Sequence, residues 1–233
     1  MLYNLVEWVF SRGIWKQSIK VIFTKNNPIL KPNKLEKIFN NLIEGFIDTQ
    51  IGISKEFLSP ILSNHLADNL RLVYAQKQMA PAGTGNKVNI HQDKLIRSDV
   101  IFWLDRKHNN QYENSFFDLI DLFVIHLNST CFTSISSYEF HYAMYDKGSF
   151  YKKHLDQFRN DSSRQFSFIF YLNPDWKAAD GGELCVYLDK RVQLIAPEMG
   201  KTVFFKSSEL EHQVLLTNKA RLSIVGWLKT GHK

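Results

Sequence analysis

Cysteine is almost missing from this chain, acidic residues are outnumbered, and no apolar run comes near the length of a membrane span. Only two cysteines, Cys131 and Cys185, occur in 233 residues. They lie far apart, in neither a metal-binding nor a disulfide-framework spacing, which excludes a zinc ribbon and points to a reducing compartment, the cytoplasm. The N-terminal stretch MLYNLVEWVFSRGIWKQSIKVIF is broken by Glu7, Arg12, Lys16 and Lys20, which argues against a transmembrane helix of about 18 or more residues and against an export signal. Low-complexity tracts and repeats of solenoid length are missing as well.

The shortage of acid leaves a formal net charge of +6, a balance that suits nucleic acid or an anionic membrane surface. Its distribution removes most of that suggestion. Residues 1–40 hold Arg12, Lys16, Lys20, Lys25, Lys31, Lys34 and Lys37 against Glu7 and Glu36, so seven bases less two acids put five of the six charges there. The rest of the chain is close to neutral. A nucleic-acid partner is therefore not expected, and membrane contact is expected at most weakly, through residues 1–33.

What is present is enough apolar material, 44% hydrophobic and 14% aromatic, for one sizeable core. Residues 1–33 read as a basic appendage, closed by NNPILKPN, whose two prolines interrupt a helix. Residues 34–233 read as one domain, helical over 34–130 and β-rich over 135–230. Leu35, Phe39, Leu42, Ile43 and Phe46 recur at helical spacing, with Asn33 as a cap. A second helix starts at Ser59-Pro60, with Ile61, Leu62, Leu66, Leu70 and Val73 as its buried stripe. A third fits ENSFFDLIDLFVIHLNS. The loop-rich PAGTGNKVNIHQDKLIRSD between the last two reads as mobile. After residue 135, YEFHYAMY, FSFIFYL, ELCVYL, VQLI, TVFF, HQVLL and RLSIVGWL follow at roughly ten-residue spacing, the pattern of a sandwich or barrel. The fold class is α+β, mainly β.

Within that frame SFYKKHLDQF sets His154 and Asp156 one residue apart. On a strand, positions two apart share a face, about 6–7 Å along the pleat, so the pair can reach one point. His212, opening a late strand, offers a third donor. Two imidazoles and one carboxylate form the facial triad associated with non-haem Fe(II) oxygenases; zinc accepts the same donors but would need an acid or base placed for hydrolysis. Arg221 follows in a strand that also holds Leu222, Ile224 and Trp227. A guanidinium facing a barrel interior needs an anion, which a carboxylate ligand would supply bidentately; pairing with a nearby Asp or Glu, or facing solvent, is the alternative.

The order Tyr145-x-x-Gly148-x-x-Tyr151-x-x-His154-x-Asp156, then FYLNPDW and DGGEL, then His212-x-Val214 and Arg221-x-Ser223-x-x-Gly226-Trp227 resembles the 2-oxoglutarate- and Fe(II)-dependent prolyl 4-hydroxylases, closest to their hypoxia-sensing branch and its bacterial relatives, over roughly residues 35–230. The resemblance implies a double-stranded β-helix (jelly-roll) core with the N-terminal helices packed on one sheet. It implies His154, Asp156 and His212 as iron ligands and Arg221 as partner of the distal 2-oxoglutarate carboxylate. Tyr145 and Tyr171 would contact the co-substrate, with Trp227 beside the pocket; core packing is the plain alternative for all three aromatics. IRSDVIFW resembles a family segment at the mouth of the site, which would make Arg97, Asp99 and Trp103 line the substrate channel and Arg164 grip the target; solvated charges are the alternative for both arginines. Ser98 stands where the family has glycine, and serine tolerates positive φ poorly.

The implied activity is hydroxylation of a proline presented in an exposed loop of a cytoplasmic protein, with the translation machinery as the favoured company. Fe(II) is the cofactor, 2-oxoglutarate and O2 are co-substrates, ascorbate is an auxiliary reductant, and succinate and CO2 are by-products. A monomer is expected. Two rival readings are open to such a chain. A nucleic-acid oxygenase of the demethylase type would carry a second arginine shortly after Arg221, and none is there. A non-catalytic β-sandwich that binds a partner would have no reason to keep His154, Asp156, His212 and Arg221 together.

Overall fold

The computed structural model describes residues 32–83, 95–158, 160–189 and 191–231. The basic appendage through residue 31 and the glycine-containing loop from 84 to 94 lie outside them. Three helices come first. α1, Pro32–Thr49, begins one residue before Asn33, so Asn33 is a helical residue and not the expected cap; the fixed φ of Pro32 already suits a first turn. α2, Pro60–Ala75, opens as the sequence reads, with Ser59 Oγ accepting from the Leu62 amide at 3.2 Å. Its buried stripe is Leu62, Leu66, Leu70 and Val73, but Ile61 is 58% exposed, because one residue along a helix turns the side chain by about 100°. α3, Gln111–Cys131, is capped by Asn110, whose Oδ1 accepts from the Tyr112 and Glu113 amides.

Strands do not wait for residue 135. β1 (Ile51–Ser54), β2 (Ala80–Pro81) and β3 (Val100–Trp103) arise inside the helical part, four residues or fewer each, too short for alternation to register. β4 (Ser137–Tyr145), β5 (Tyr151–His154), β6 (Arg164–Tyr171), β7 (Leu184–Leu188), β8 (Arg191–Ile195), β9 (Thr202–Lys206), β10 (Glu211–Val214) and β11 (Arg221–Lys229) follow. Among the described residues they form two antiparallel sheets, β1-β9-β6-β11-β4-β3-β2 and β5-β10-β7-β8. This is the double-stranded β-helix, with the helices on the large sheet.

The period of two divides the large sheet into two surfaces. Toward the helices point Phe140 and Tyr142 of β4, Phe168 and Phe170 of β6, Phe204 of β9, and Leu222, Ile224 and Leu228 of β11; they share one core with Phe39, Phe57, Phe116 and Phe123. Their rings meet at 5.0–5.3 Å, for example Phe123–Phe168, Phe57–Phe170 and Phe116–Phe140, the offset and edge contacts that aromatic quadrupoles favour. The alternate residues Ala143, Tyr145, Ile169, Tyr171, Val203 and Phe205 turn inward, against Leu184, Val186, Ile195 and Val214 of the small sheet. No described helix is long and apolar enough to cross a membrane.

Candidate active site

His154 ends β5, and His212 on β10 is its direct partner in the antiparallel register. Cross-strand partners share a face, so the two rings project together, with centroids 4.3 Å apart. Asp156 reaches them by another route than strand alternation: β5 ends at His154, and the aspartate sits in the bend beyond it. Its Oδ1 lies 3.4 Å from His154 Nε2 and 3.6 Å from His212 Nε2, and one donor atom from each residue falls within 4.8 Å of the others.

The protonation of the donors follows from their neighbours. His154 Nδ1 lies 2.7 Å from the Lys152 carbonyl and His212 Nδ1 3.0 Å from the Leu210 carbonyl. A carbonyl only accepts, so each Nδ1 donates to it and each Nε2 is the ring nitrogen turned toward Asp156. Burial lowers the His212 pKa to about 4 despite the attraction of Asp156, leaving the imidazole neutral at neutral pH. Burial alone would raise the Asp156 carboxyl, but His212, His154 and the Ser167 hydroxyl outweigh it and hold the group well below the ordinary carboxylate range. Two imidazole nitrogens and one carboxylate suit a divalent transition metal, and among the described residues this cluster offers three donors and no fourth. The residues fit Fe(II) with coordination positions to spare.

Arg221 opens β11 and is 1% exposed. Its Nε donates to the Gly182 carbonyl at 2.8 Å and its Nη1 reaches Ser223 Oγ at 3.5 Å, while Cζ stands 5.0 Å from the ring centres of Tyr145 and Tyr171. None of the ion pairs among the described residues includes it. That closes both alternatives left open by the sequence, a nearby acid and a solvent-facing charge. A buried guanidinium without an anion is costly, and a carboxylate ligand would offset that cost. Gly182 makes the approach possible: at φ +69° it is left-handed, and a Cβ there would lie 2.9 Å from Thr217 and 3.2 Å from Arg221 Cδ. Asn173 of the FYLN motif pins the strand, accepting from the Leu222 amide at 2.7 Å and donating to the Pro197 carbonyl. Tyr171 is buried with its hydroxyl unbonded, its pKa pushed up by burial to about 12 against the pull of Arg221; burial likewise raises Tyr145. Both remain phenols able to donate.

The residues expected to meet the substrate are placed unevenly. Arg97 grips Asp99 with two bonds, Nε to Oδ1 at 2.8 Å and Nη2 to Oδ2 at 2.6 Å. It also lies 4.2 Å over the Tyr151 ring, which in turn stacks on His154 at 3.6 Å. The pair thus braces the His154 ring from behind. Ser98 is not in the positive-φ region, so its replacement of glycine carries no strain; its Oγ accepts from the Phe150 amide. Arg164 lies 3.4 Å over Trp227, gives Nε and Nη2 to Glu139 Oε1, and reaches the Asp156 carbonyl at 3.3 Å. Neither arginine is a solvated charge. Trp103 is about half exposed and packs on His141, which touches Trp227 in turn.

Sequence reasoning gave no role to Tyr151, Ser167, Glu139 or His141. Tyr151 was part of the motif, and Ser167 is a polar interruption in FSFIF; Glu139 and His141 alternate with Phe140 in YEFH, a pattern that reads equally as a solvated face.

Comparison with known proteins gives the same picture. The 2OG-Fe(II) oxygenase superfamily profile matches residues 140–229. A prolyl-4-hydroxylase from Pseudomonas putida is 30% identical, with a TM-score of 0.75 over 83% of this chain and 100% of that one. A prolyl hydroxylase from Trichoplax adhaerens, solved with a hypoxia inducible factor degradation-domain peptide, superposes at 0.76 with 22% identity, covering 84% of this chain and 91% of that one. Prolyl 3-hydroxylase OGFOD1 of Xenopus laevis is 40% identical over 75 residues, 28% of this chain but only 15% of that protein's length.

Proposed function

The chain belongs to the 2-oxoglutarate- and Fe(II)-dependent oxygenases of the prolyl hydroxylase family, and on that premise we propose that it hydroxylates a prolyl residue of a protein substrate. His154 Nε2, His212 Nε2 and Asp156 Oδ1 are the atoms that would hold the iron. When bound, Fe(II) together with 2-oxoglutarate activates O2 and places one oxygen on a substrate C–H bond, with succinate and CO2 as by-products.

Every other part of the work falls to the chain itself. Arg221 neutralises the distal carboxylate of the co-substrate, and Tyr171 offers it a free hydroxyl, with Tyr145 closing the opposite side. Phe205 and Val214 wall the interior against water. Trp227, Trp103 and Arg164 border the approach to Asp156, where an extended peptide would enter, and the Arg97–Asp99 pair keeps Tyr151 flat on His154. The observation that carries this reading is the buried, anion-free Arg221 in the same roll as three converging donors. The 4-position is the favoured site of hydroxylation, supported by likeness to the whole Pseudomonas prolyl-4-hydroxylase chain. Action in the cytoplasm, supported by the free thiols of Cys131 and Cys185, and a substrate from the translation machinery belong to the same proposal.

The test is incubation of candidate proteins with the enzyme, Fe(II), 2-oxoglutarate and O2, followed by mass spectrometry for a gain of one oxygen and chromatography of the hydrolysate against 3- and 4-hydroxyproline. A modified residue other than proline would move the enzyme to another branch of the superfamily.

A further inference from the structure

Asp156 is anchored differently from the two histidines it faces. His154 and His212 ride on the small sheet, whereas the polar contacts of the Asp156 bend run to the large one. Asp156 Oδ2 accepts from Ser167 Oγ on β6 at 2.6 Å, and Ser167 Oγ lies 2.9 Å from Ser207 Oγ, just past β9. The Ser207 carbonyl accepts from the Gln157 amide at 3.1 Å. Arg164, at the start of β6, holds the Asp156 carbonyl. Both serines are fully buried.

The direction of the hydroxyls follows from chemistry. An ionised carboxylate only accepts, so Ser167 spends its single proton on Asp156, and Ser207 must then donate to Ser167. A buried hydroxyl costs free energy unless it is bonded, and Ser167 sits in a strand of aromatic and aliphatic residues, paired in register with Trp227 on β11 and Phe205 on β9. Alanine would fill that space without needing a partner. The serine pair therefore has its physical reason in Asp156.

Resting on the reading that His154, Asp156 and His212 hold iron, we propose that Ser167, backed by Ser207, is a positioning residue that occupies Oδ2 of Asp156 and leaves only Oδ1 for the metal. The metal would then be held by two imidazole nitrogens and one carboxylate oxygen, leaving room for a chelating keto acid and O2. A carboxylate released from Ser167 is free to turn and bind with both oxygens, taking up part of that room. The link also spans the two sheets, so the orientation of the aspartate is set by the large sheet while the imidazoles are set by the small one.

The experiment uses Co(II) in place of Fe(II), because its visible absorption reports coordination number and needs no substrate. Titrations compare the natural protein with Ser167→Ala, Ser167→Thr, Ser207→Ala and Asp156→Ala. Ser167→Ala is expected to weaken Co(II) binding by about 10- to 100-fold and to change the intensity of the visible bands once 2-oxoglutarate is added. Ser207→Ala should shift both readouts in the same direction by less, and Ser167→Thr, which keeps the hydroxyl, should restore them. Natural affinity and an unchanged spectrum in Ser167→Ala overturn the proposal; if that variant does not fold, the same result in Ser207→Ala overturns it. Should the natural protein bind Co(II) no better than Asp156→Ala, the iron assignment itself fails, which is a different result from the failure of the serine link.

Discussion

On β11, Leu222, Ile224 and Leu228 turn toward the helices while Arg221, Ser223 and Trp227 turn into the roll. One strand thus supplies two surfaces of opposite character. The helix side is filled by phenylalanine rings from α1, α3, the segment just ahead of α2 and three strands, and Gly226 is there because a Cβ would lie 2.1 Å from a Phe140 ring carbon. The inner side is left incomplete, with a guanidinium that has no anion and buried polar atoms on Tyr171, His141 and Trp227 that have no partner. Buried atoms of Ser63, Asn114 and Thr202 also have no partner, so what marks the inner side as awaiting a ligand is the buried cation without an anion.

The comparison can be broken most decisively on the inner side. His212→Ala should bring Fe(II)-dependent turnover of 2-oxoglutarate down to background while leaving the circular dichroism of the metal-free protein unchanged; retained turnover would remove the metal assignment. Next in size, Phe168→Ala on the helix side should cost about 3–5 kcal/mol of stability in a urea melt, with the 2-oxoglutarate affinity of the folded protein altered less than tenfold. A comparable loss of both would show that the two surfaces are not separable.

Arg221→Ala sharpens the contrast. It should raise the 2-oxoglutarate requirement by about 30- to 1,000-fold, the equivalent of about 2–4 kcal/mol. In the ligand-free protein Arg221→Met, which keeps most of the packing, should melt no lower than the natural one, because the charge removed had no anion; a strong loss of stability would overturn that reading.

The smallest expected effect concerns acid. Burial lowers the pKa of His126 on the helix side and brings that of His141 on the inner side to about 3. In both cases the unfolded chain takes up the proton first. The contribution to stability is full above the unfolded value of about 6.5 and is lost as pH falls toward the folded one. Urea midpoints of metal-free protein at pH 7 and pH 5 should fall with pH, and less so in His141→Met. An equal fall in that variant would mean that His141 is not held neutral.

Much of this arrangement is legible in the sequence, for identifiable reasons. Long amphipathic helices announce themselves by period, and all seven strand segments read after residue 135 are strands, four-residue β10 among them. The candidate donor set is legible because His154, Asp156 and His212 stand in the order of the family motif that the sequence resembles. β1, β2 and β3 escape because they are short runs set among helical segments, and β1 pairs with β9 and β3 with β4 only at long range. Asp156 lies in a bend just past the end of β5 and not on the strand itself, so its two-residue spacing from His154 matches strand alternation only by coincidence. Ser167 and Ser207 could not be seen at all: the meaning of a lone serine in an apolar strand depends on which carboxylate arrives beside it from another part of the chain.

The shared rung of His154 and His212 has a consequence for tolerated change in length. The long excursion between them, from β6 through β9, can grow or shrink at its turns without moving either ring. A single residue added inside β10 ahead of His212 would instead turn that imidazole to the outer surface. Deletion and insertion scanning should therefore give an all-or-none map, silent across the turns and abruptly lethal to metal uptake within a few positions of that one ladder step.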